Sequence, residues 1–514
     1  MPGANVRLAA ALEILTGLQQ GGRHVFAGSE IPRTARDRLK RQGFLQPIVK
    51  GWWMSTSPPA LPGDTTPWYA SFWEFCARYC NERFGEEWHL SPEQSLLLHA
   101  EQTAIPPQVV VYSPRASNNA LELPFGTGLY TLHVEAMPPA RDVVVREGVR
   151  IFSVAAALMR VPEAFFVRHP VAAQVVLAAV RDAADVLARL LAGGHSVRAG
   201  RVAGAFRRVG RPDVADEIAA AMRAAAFEVR ESDPFEPAVA IAPIRGAPPV
   251  VARLTALWQA SRERVVTAFR PAPGLPADPG GYLKAVEDAY VADAYHSLSI
   301  EGYRVSPALV ERVRAGGWDP MGNADDRQDR DALAARGYWQ AFQAVQDGLR
   351  AILGGAAAGP LVREAHREWY RQMFQPFVAA GLLGREALAG YRNDAVYLRG
   401  SRHVPPRWEV VRDAMPALFD LLEAEPDPAV RAVLGHWLAG YIHPYPDGNG
   451  RIARFLMNCM LASGGYPWII IEVGHRNAYL TGLEAASVHS DIGPFADFVS
   501  ERVRAEMWGP PSSR

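Results

Sequence analysis

The chain has 514 residues, which at roughly 100–200 residues per domain predicts about three domains. Hydrophobic residues make up 49% and charged residues 21%, so wholesale disorder and fibrous or collagen-like repeats are excluded. The 54 Lys+Arg balance the 54 Asp+Glu, which leaves no whole-molecule field to draw the protein onto nucleic acid or an anionic membrane.

Residues 5–20 place apolar side chains at helical spacing, and a second helix is predicted over 32–42, with Pro32 in its first turn and Gly43 as its stop. Residues 44–54 read as two short strands around a turn. Helix, helix and hairpin outline a winged helix-turn-helix. Between Arg23 and Lys50 seven Lys/Arg face only Glu30 and Asp37, a local basic face in a neutral chain. Read blandly, that run is a solvated helix surface. Read functionally, Arg33, Arg36, Arg38, Lys40 and Arg41 are candidate DNA contacts.

Cys76 and Cys80 sit one helical turn apart without Cys or His partners at finger-like spacing, so a buried helix is expected rather than a metal site. With Cys459 they are the only cysteines, too few for a disulfide framework. The N-terminus lacks a signal-peptide pattern, and no segment offers 18 uncharged apolar residues. A cytoplasmic protein with no membrane contact is expected. Residues 55–155 mix short strands with Pro/Gly/Asn turns, and 170–228 turn helical. Proline density marks a linker near 231–249, a second Pro/Gly cluster ends near Gly281, and from there to about 505 nearly everything reads as helix.

Lysine occurs only at Lys40, Lys50 and Lys284, none in a Walker-type loop, and neither a G-x-S-x-G elbow nor an H-E-x-x-H helix is present. The chemistry concentrates instead at HPYPDGNGRIAR, residues 443–454. An apolar helix over 431–442 ends at His443, and two prolines force an extended exit. Asp447-Gly448-Asn449-Gly450 then makes a tight loop that opens the next helix. Free amides at that helix start, with the positive end of its dipole, form an anion cradle independent of a P-loop lysine. Asp447 is a hard oxygen ligand of the kind Mg²⁺ accepts. Arg451 and Arg454 share one helix face and can both grip phosphate oxygens. His443 at the loop mouth can take a proton from an incoming hydroxyl. Taken singly, these residues would merely cap a turn or fill a core; together they are the parts that phosphoryl-type transfer requires.

The same string resembles the active-site motif of the Fic family, H-P-F-x-D-G-N-G-R-x-x-R, with Tyr445 where the family most often has Phe. Asn458, Gly464 and Pro467 also fall where that family tends to place them, and Gly450-Arg451 differs from the Lys-containing variant of the kinase-like Doc branch. The resemblance implies an all-α C-terminal domain that binds Mg·ATP and transfers AMP to a Ser, Thr or Tyr hydroxyl of a protein. By position, His443 is the base and Asp447 the Mg²⁺ ligand. Gly448, Asn449 and Gly450 line the phosphate cradle, Arg451 and Arg454 hold phosphates, and Tyr479 lies near the nucleotide. Residues 390–406 resemble the family's β-hairpin flap. Ser297-Leu298-Ser299-Ile300-Glu301-Gly302 resembles its inhibitory motif, in which Glu301 occupies Arg454; Ser297, Glu301 and Gly302 are its fixed positions. Removal of AMP by the same site stays open.

Residues 29–54, together with 90–114 and 152–161, resemble the AbiEi family of antitoxins and regulators. The expected organisation is a winged helix over 1–55, an α/β then helical middle domain over 56–230, a linker and connecting helix over 231–281, and the Fic domain over 282–506. The expected fold class is multidomain and mostly α. An alternative is a DNA-binding regulator in which the C-terminal domain acts as a sensor. The target protein, which is either a separate chain or this chain itself, and a homo-oligomeric state are left open by the sequence.

Overall fold

The first two helices and the hairpin after them form as expected, and a third short strand, β1, joins them. The computed structural model describes residues 4–58, 63–235, 246–317 and 329–508. Helix α1 spans Ala4–Leu18, strand β1 Val25–Ala27, helix α2 Arg33–Arg41, and strands β2 and β3 Leu45–Val49 and Trp52–Ser55. Gly43, at φ +78°, turns the chain out of α2 in a conformation that costs glycine little. The strands pair antiparallel in the order β1-β3-β2. Ala11 and Leu15 of α1, Ala35 and Leu39 of α2, and Phe26 and Leu45 of the sheet share one buried cluster.

The other side of that sheet closes on α3 (Thr66–Phe84). Val25, Ile48, Trp52 and Met54 join Trp68, Phe72, Phe75 and both Cys76 and Cys80 in a second apolar cluster. The two cysteines are buried thiols. Strands β4 (His89–Leu90), β5 (Gln108–Ser113), β6 (Asn119–Leu123) and β7 (Thr127–His133) form a sheet of order β4-β5-β7-β6, with β5 and β7 parallel. Helix α4 (Pro92–His99) follows β4, and β8 (Val143–Arg146) with β9 (Val149–Phe152) makes a ribbon. Six helices, α5 to α10, then run between Val154 and Ala224.

The chain divides into two compact units, Met1–Arg253 with Tyr397–Val404, and Leu254–Val396 with Pro405–Arg514. The regions expected as separate N-terminal and middle domains therefore lie in one unit and share a core. Residues 390–406 correct the expected β-hairpin: they carry no strand. The physical reason is that their main-chain groups bond elsewhere. Within the first unit Gly400 N–H donates to Thr65 Oγ1 at 3.0 Å, and Arg402 C=O accepts from Ile105 N–H at 2.8 Å.

The second unit is helical, as expected: α11 (Pro249–Ala268) enters it, followed by α12 (Pro279–Ile300), α13 (Pro307–Arg314), α14 (Arg330–Leu353), α15 (Ala358–Ala379), α16 (Val411–Ala424), α17 (Pro428–Ile442), α18 (Asn449–Ala462), α19 (Arg476–His489) and α20 (Gly493–Trp508). Among the described residues no helix is long and apolar enough to cross a membrane. In α18 every residue from Arg451 to Ala462 is buried, the mark of a helix wrapped by others rather than packed on one face. It is the axis of this unit, and the catalytic-looking loop opens it.

Candidate active site

Asp427 caps α17 by accepting from the amides of Ala429 and Val430, and Pro428 fills its first position. The helix ends where Ile442 meets His443, whose φ of +49° and ψ of 61° place a non-glycine residue in the left-handed region. Pro444 and Pro446 carry the chain onward without amide hydrogens to continue a helix. Asn449 fixes the turn from both sides: Oδ1 accepts from Tyr445 N–H at 2.9 Å, and Nδ2 donates to Tyr445 C=O at 2.8 Å. Expected as a lining residue of the cradle, Asn449 is 4% exposed and clamps the loop instead.

Gly448 stands at φ +78°, and a Cβ there would meet the Phe374 ring at 2.9 Å, so both conformation and space demand glycine. A Cβ on Gly450 would lie 2.5 Å from Glu301 Oε1. Since α18 has no side-chain cap, its first-turn amides and dipole are left to other partners. Tyr445 stacks on Tyr370 at 4.1 Å with rings nearly parallel, and its buried hydroxyl has no hydrogen-bond partner among the described residues. The position uses only the ring, which explains why a phenylalanine suits it equally.

The two arginines are drawn together by one carboxylate. Glu301 sits just past α12, with Gly302 at φ +91° reversing the chain and Tyr303 N–H closing back on Leu298 C=O. Glu301 Oε1 accepts from Arg454 Nη2 at 2.8 Å, and Oε2 accepts from Arg451 Nε at 3.1 Å. Ser297 completes the grip, its Oγ accepting from Arg454 Nε at 2.9 Å and its C=O from Arg454 Nη2 at 3.1 Å. Burial would raise the Glu301 carboxyl, but Arg451 and then Arg454 outweigh that cost and hold it below its ordinary value. A carboxylate at the negative end of α12 is unfavourable by itself; the arginines offset it.

Arg451 is fully buried between two rings, its guanidinium carbon 5.4 Å from the Tyr303 centroid and 5.3 Å from that of Phe374. Its Nη1 and Nη2 have no hydrogen-bond partner among the described residues, although Nη2 lies 3.5 Å from Asp447 Oδ1. Orphaned donors on a buried cation are costly unless an anion completes them. Phosphate oxygens fit that vacancy in the bonding.

Asp447 is half exposed beside it, with Oδ1 accepting from Gly448 N–H at 2.6 Å. Among the described residues no cluster of three or more His, Cys, Asp or Glu forms a protein-built metal cage. A lone rim carboxylate next to an anion cradle suits Mg²⁺, which keeps waters and phosphates as its remaining ligands.

His443 sits with Nδ1 3.4 Å from Gly440 C=O. Since a carbonyl only accepts, Nδ1 carries the proton and Nε2 is left as the basic nitrogen. Burial pushes the imidazole down, the Gly440 carbonyl pulls it up, and Arg392 pushes it down again, to about 4. It is neutral, and therefore a base, at pH 7.

Tyr479 is 2% exposed, with its hydroxyl 2.9 Å from His436 Nε2. Burial raises its hydroxyl pKa while the charge of Arg454 lowers it, so the two side chains sense each other inside the unit. The structure thus brings His443, Asp447, Gly448, Gly450, Arg451, Arg454, Ser297, Glu301 and Gly302 into one site and places Asn449 and Tyr479 in supporting positions. Sequence reasoning missed Tyr303, Phe374, His436 and Arg392. Only Tyr303 carried a signal, two positions beyond Glu301; Phe374 and Arg392 lie far along the chain from the loop, and His436 sits unmarked within α17, seven residues before His443.

Residues 360–461, which run from α15 to α18 and include the 443–454 stretch, match the Fic/DOC family. The chain is 43% identical over 230 residues to "Protein adenylyltransferase Fic" of Nematostella vectensis, covering 44% of this chain and 50% of that protein. Against the protein of the same name from Culex quinquefasciatus it is 28% identical over 227 residues, covering 43% and 41%. The chain spans about half the length or less of these curated relatives. Among solved structures it is similar to Fic-1, residues 134–508, from C. elegans, with 18% identity, a TM-score of 0.37, and coverage of 66% of this chain and 96% of that one.

Proposed function

We propose that this protein is a nucleotidyltransferase that moves AMP from Mg·ATP to the hydroxyl of a Ser, Thr or Tyr on a protein target, with Glu301 holding the resting state in check. The observation that carries it is the buried Arg451, two of whose donor nitrogens have no hydrogen-bond partner among the described residues while the third is spent on the carboxylate that also occupies Arg454. The name shared by the relatives supports the same reaction.

In this reading His443 Nε2 takes the proton of the target hydroxyl as its oxygen bonds to the α-phosphorus. The α–β bridging bond breaks, and pyrophosphate leaves with the bond's electron pair. Arg451 Nη1 and Nη2 and the α18 amides receive the phosphate oxygens. Asp447 would hold Mg²⁺, which when bound would neutralise charge on those oxygens. Arg454 grips the terminal phosphate only after Glu301 lets go, because one guanidinium face cannot serve both anions. Removal of AMP would run through the same residues.

The test uses ATP labelled on the α- or the γ-phosphate with wild type and Glu301→Gly. Label is expected in protein from the α position only, and more in Glu301→Gly. Incorporation from γ would overturn AMP transfer in favour of a kinase-like reaction, and no incorporation from either would overturn nucleotidyl transfer.

A second reading concerns the first unit. The order α1, β1, α2, β2, β3 supports a winged helix, resembling AbiEi proteins, whose α2 meets DNA phosphates. Arg33, with 87% of its side chain exposed and a 3.9 Å approach to Asp37, and the exposed Lys40 and Arg41 are the most solvent-facing of the basic residues of α2. Arg36 is otherwise engaged: its Nη1 donates to Gly28 C=O at 2.7 Å, and its guanidinium lies over the Trp53 ring. Arg38 Nη1 donates to Arg7 C=O at 2.9 Å. Replacing Arg33, Lys40 and Arg41 with alanine is expected to weaken DNA binding and to flatten the slope of log K against log salt by about 3, one per lost phosphate contact. A fluorescence-anisotropy titration that finds salt-independent binding, or none, would overturn this reading.

A further inference from the structure

A helix end leaves its last carbonyls without intrahelical partners, and the end of α17 is also the seat of His443. Three successive carbonyls at that end meet one residue, Arg392. Its Nη2 lies 3.5 Å from Ile442 C=O, its Nε donates to His443 C=O at 2.8 Å, and its backbone N–H donates to Pro444 C=O at 2.9 Å. On the far side Nη1 donates to Asp394 C=O at 2.8 Å and Nη2 to Pro406 C=O. The side chain is 2% exposed, so these bonds are shielded from water.

From this geometry we infer that Arg392 is the positioning residue for His443; the inference rests on the reading above that His443 is the base. His443 lies in a backbone region that a non-glycine residue occupies only when its surroundings over-determine it. Its amide is held by Ala439 C=O at 3.0 Å, and its carbonyl by Arg392. With both ends of the residue fixed, the left-handed turn is locked, and the imbalance of charge at the helix end is met by a cation where the dipole favours one. The lock sets where the imidazole stands. It also sets what the ring feels: Arg392 works against its protonation, while Glu301 and Asp447 work for it. Arg392 contacts neither nucleotide nor target in this scheme and acts only through the main chain and its charge.

Planarity matters. A guanidinium reaches carbonyls on two sides at once, which an ammonium on a flexible stem does not. Arg392→Lys therefore keeps the charge and loses the lock, whereas Arg392→Gln loses both.

Both variants are made in the Glu301→Gly chain, with His443 followed by NMR of the histidine-labelled protein, alongside kcat and KM for ATP. Arg392→Gln is expected to lower kcat tenfold or more, to leave KM for ATP within about twofold, and to move the imidazole midpoint upward. Arg392→Lys is expected to keep the midpoint low and still lose most of kcat. An unchanged midpoint in Arg392→Gln, or kcat within twofold of the parent in both variants, would overturn the inference. If the parent itself transfers no AMP, the functional reading fails, while the midpoint still decides whether Arg392 governs His443. A fall in thermal stability with kcat and KM both altered and the midpoint fixed would mark Arg392 as structural only.

Discussion

His443→Ala, made in the Glu301→Gly background, lowers AMP transfer by about 10²–10⁴-fold, the range that a positioned general base contributes. Binding of Mg·ATP survives the change, because the donors assigned to the phosphates are on Arg451, Arg454 and the amides of α18, none of which touches the imidazole in the described bonding. Isothermal titration of ATP against both proteins checks this: affinity within about threefold and a lost rate identify a base, whereas parallel loss of both would make His443 a binding residue. The pH profile gives an independent handle. The imidazole is lowered from its ordinary 6.5 to about 4, so its basic form is present throughout the range above that value. The rate of the Glu301→Gly parent is then level from pH 8 down to pH 5 and falls only as pH drops further. A fall already at pH 6.5 would mean that the ring is not held as the structure has it.

How much of this site is legible in the sequence follows from how local each part is. The stretch 443–454 is one loop and one helix start, so its prolines, glycines and paired arginines declare their geometry within twelve residues. Glu301 is legible only because its motif is short and adjacent to a helix end; that it bridges both arginines, rather than Arg454 alone, depends on how α12 crosses α18 and is written nowhere in the spacing. Asn449 and Tyr479 lie where a nucleotide contact is expected, and the structure adds what spacing does not carry: each also has a partner inside the protein. Arg392 is illegible because its partners at the end of α17 are carbonyls of residues about 50 positions away, and carbonyls carry no side-chain signature. The missing hairpin at 390–406 has the same cause: the stretch has strand-like residues, but Thr65 and Ile105 claim its main-chain groups. For α1, α2, β2 and β3, helical spacing and punctuation by Pro32 and Gly43 sufficed, whereas β1, three buried residues, carried no such signal.

Glu301→Gly is expected to raise activity and lower stability in the same step, because the carboxylate is the counter-ion of two buried arginines and, in the function proposed above, also the brake. Arg451 has no exposed side-chain surface and Arg454 only 6%, so removing Glu301 leaves two like charges facing each other with less solvent than either requires. Breaking a buried pair from one side costs about 3–5 kcal/mol, and the unfolding midpoint is expected to fall by several degrees. Glu301 has a lowered value in the folded state, so its contribution is fully present above its ordinary value of 4.5 and is lost as pH falls through the folded one. The gap between wild type and Glu301→Gly is therefore wide at pH 7 and narrows in acid. Triphosphate reverses it. An anion that completes Arg451 and replaces Glu301 on Arg454 binds the variant's folded state, and at about 100 times its Kd it returns about 2.7 kcal/mol. Wild type gains less, since Glu301 must first be displaced. Calorimetric scans of both proteins at pH 7 and at a pH below 4.5, with and without ATP, read all three effects. A Glu301→Gly protein as stable as wild type at pH 7, or one that ATP stabilises no more than wild type, would show that the two arginines do not depend on Glu301 for their charge balance.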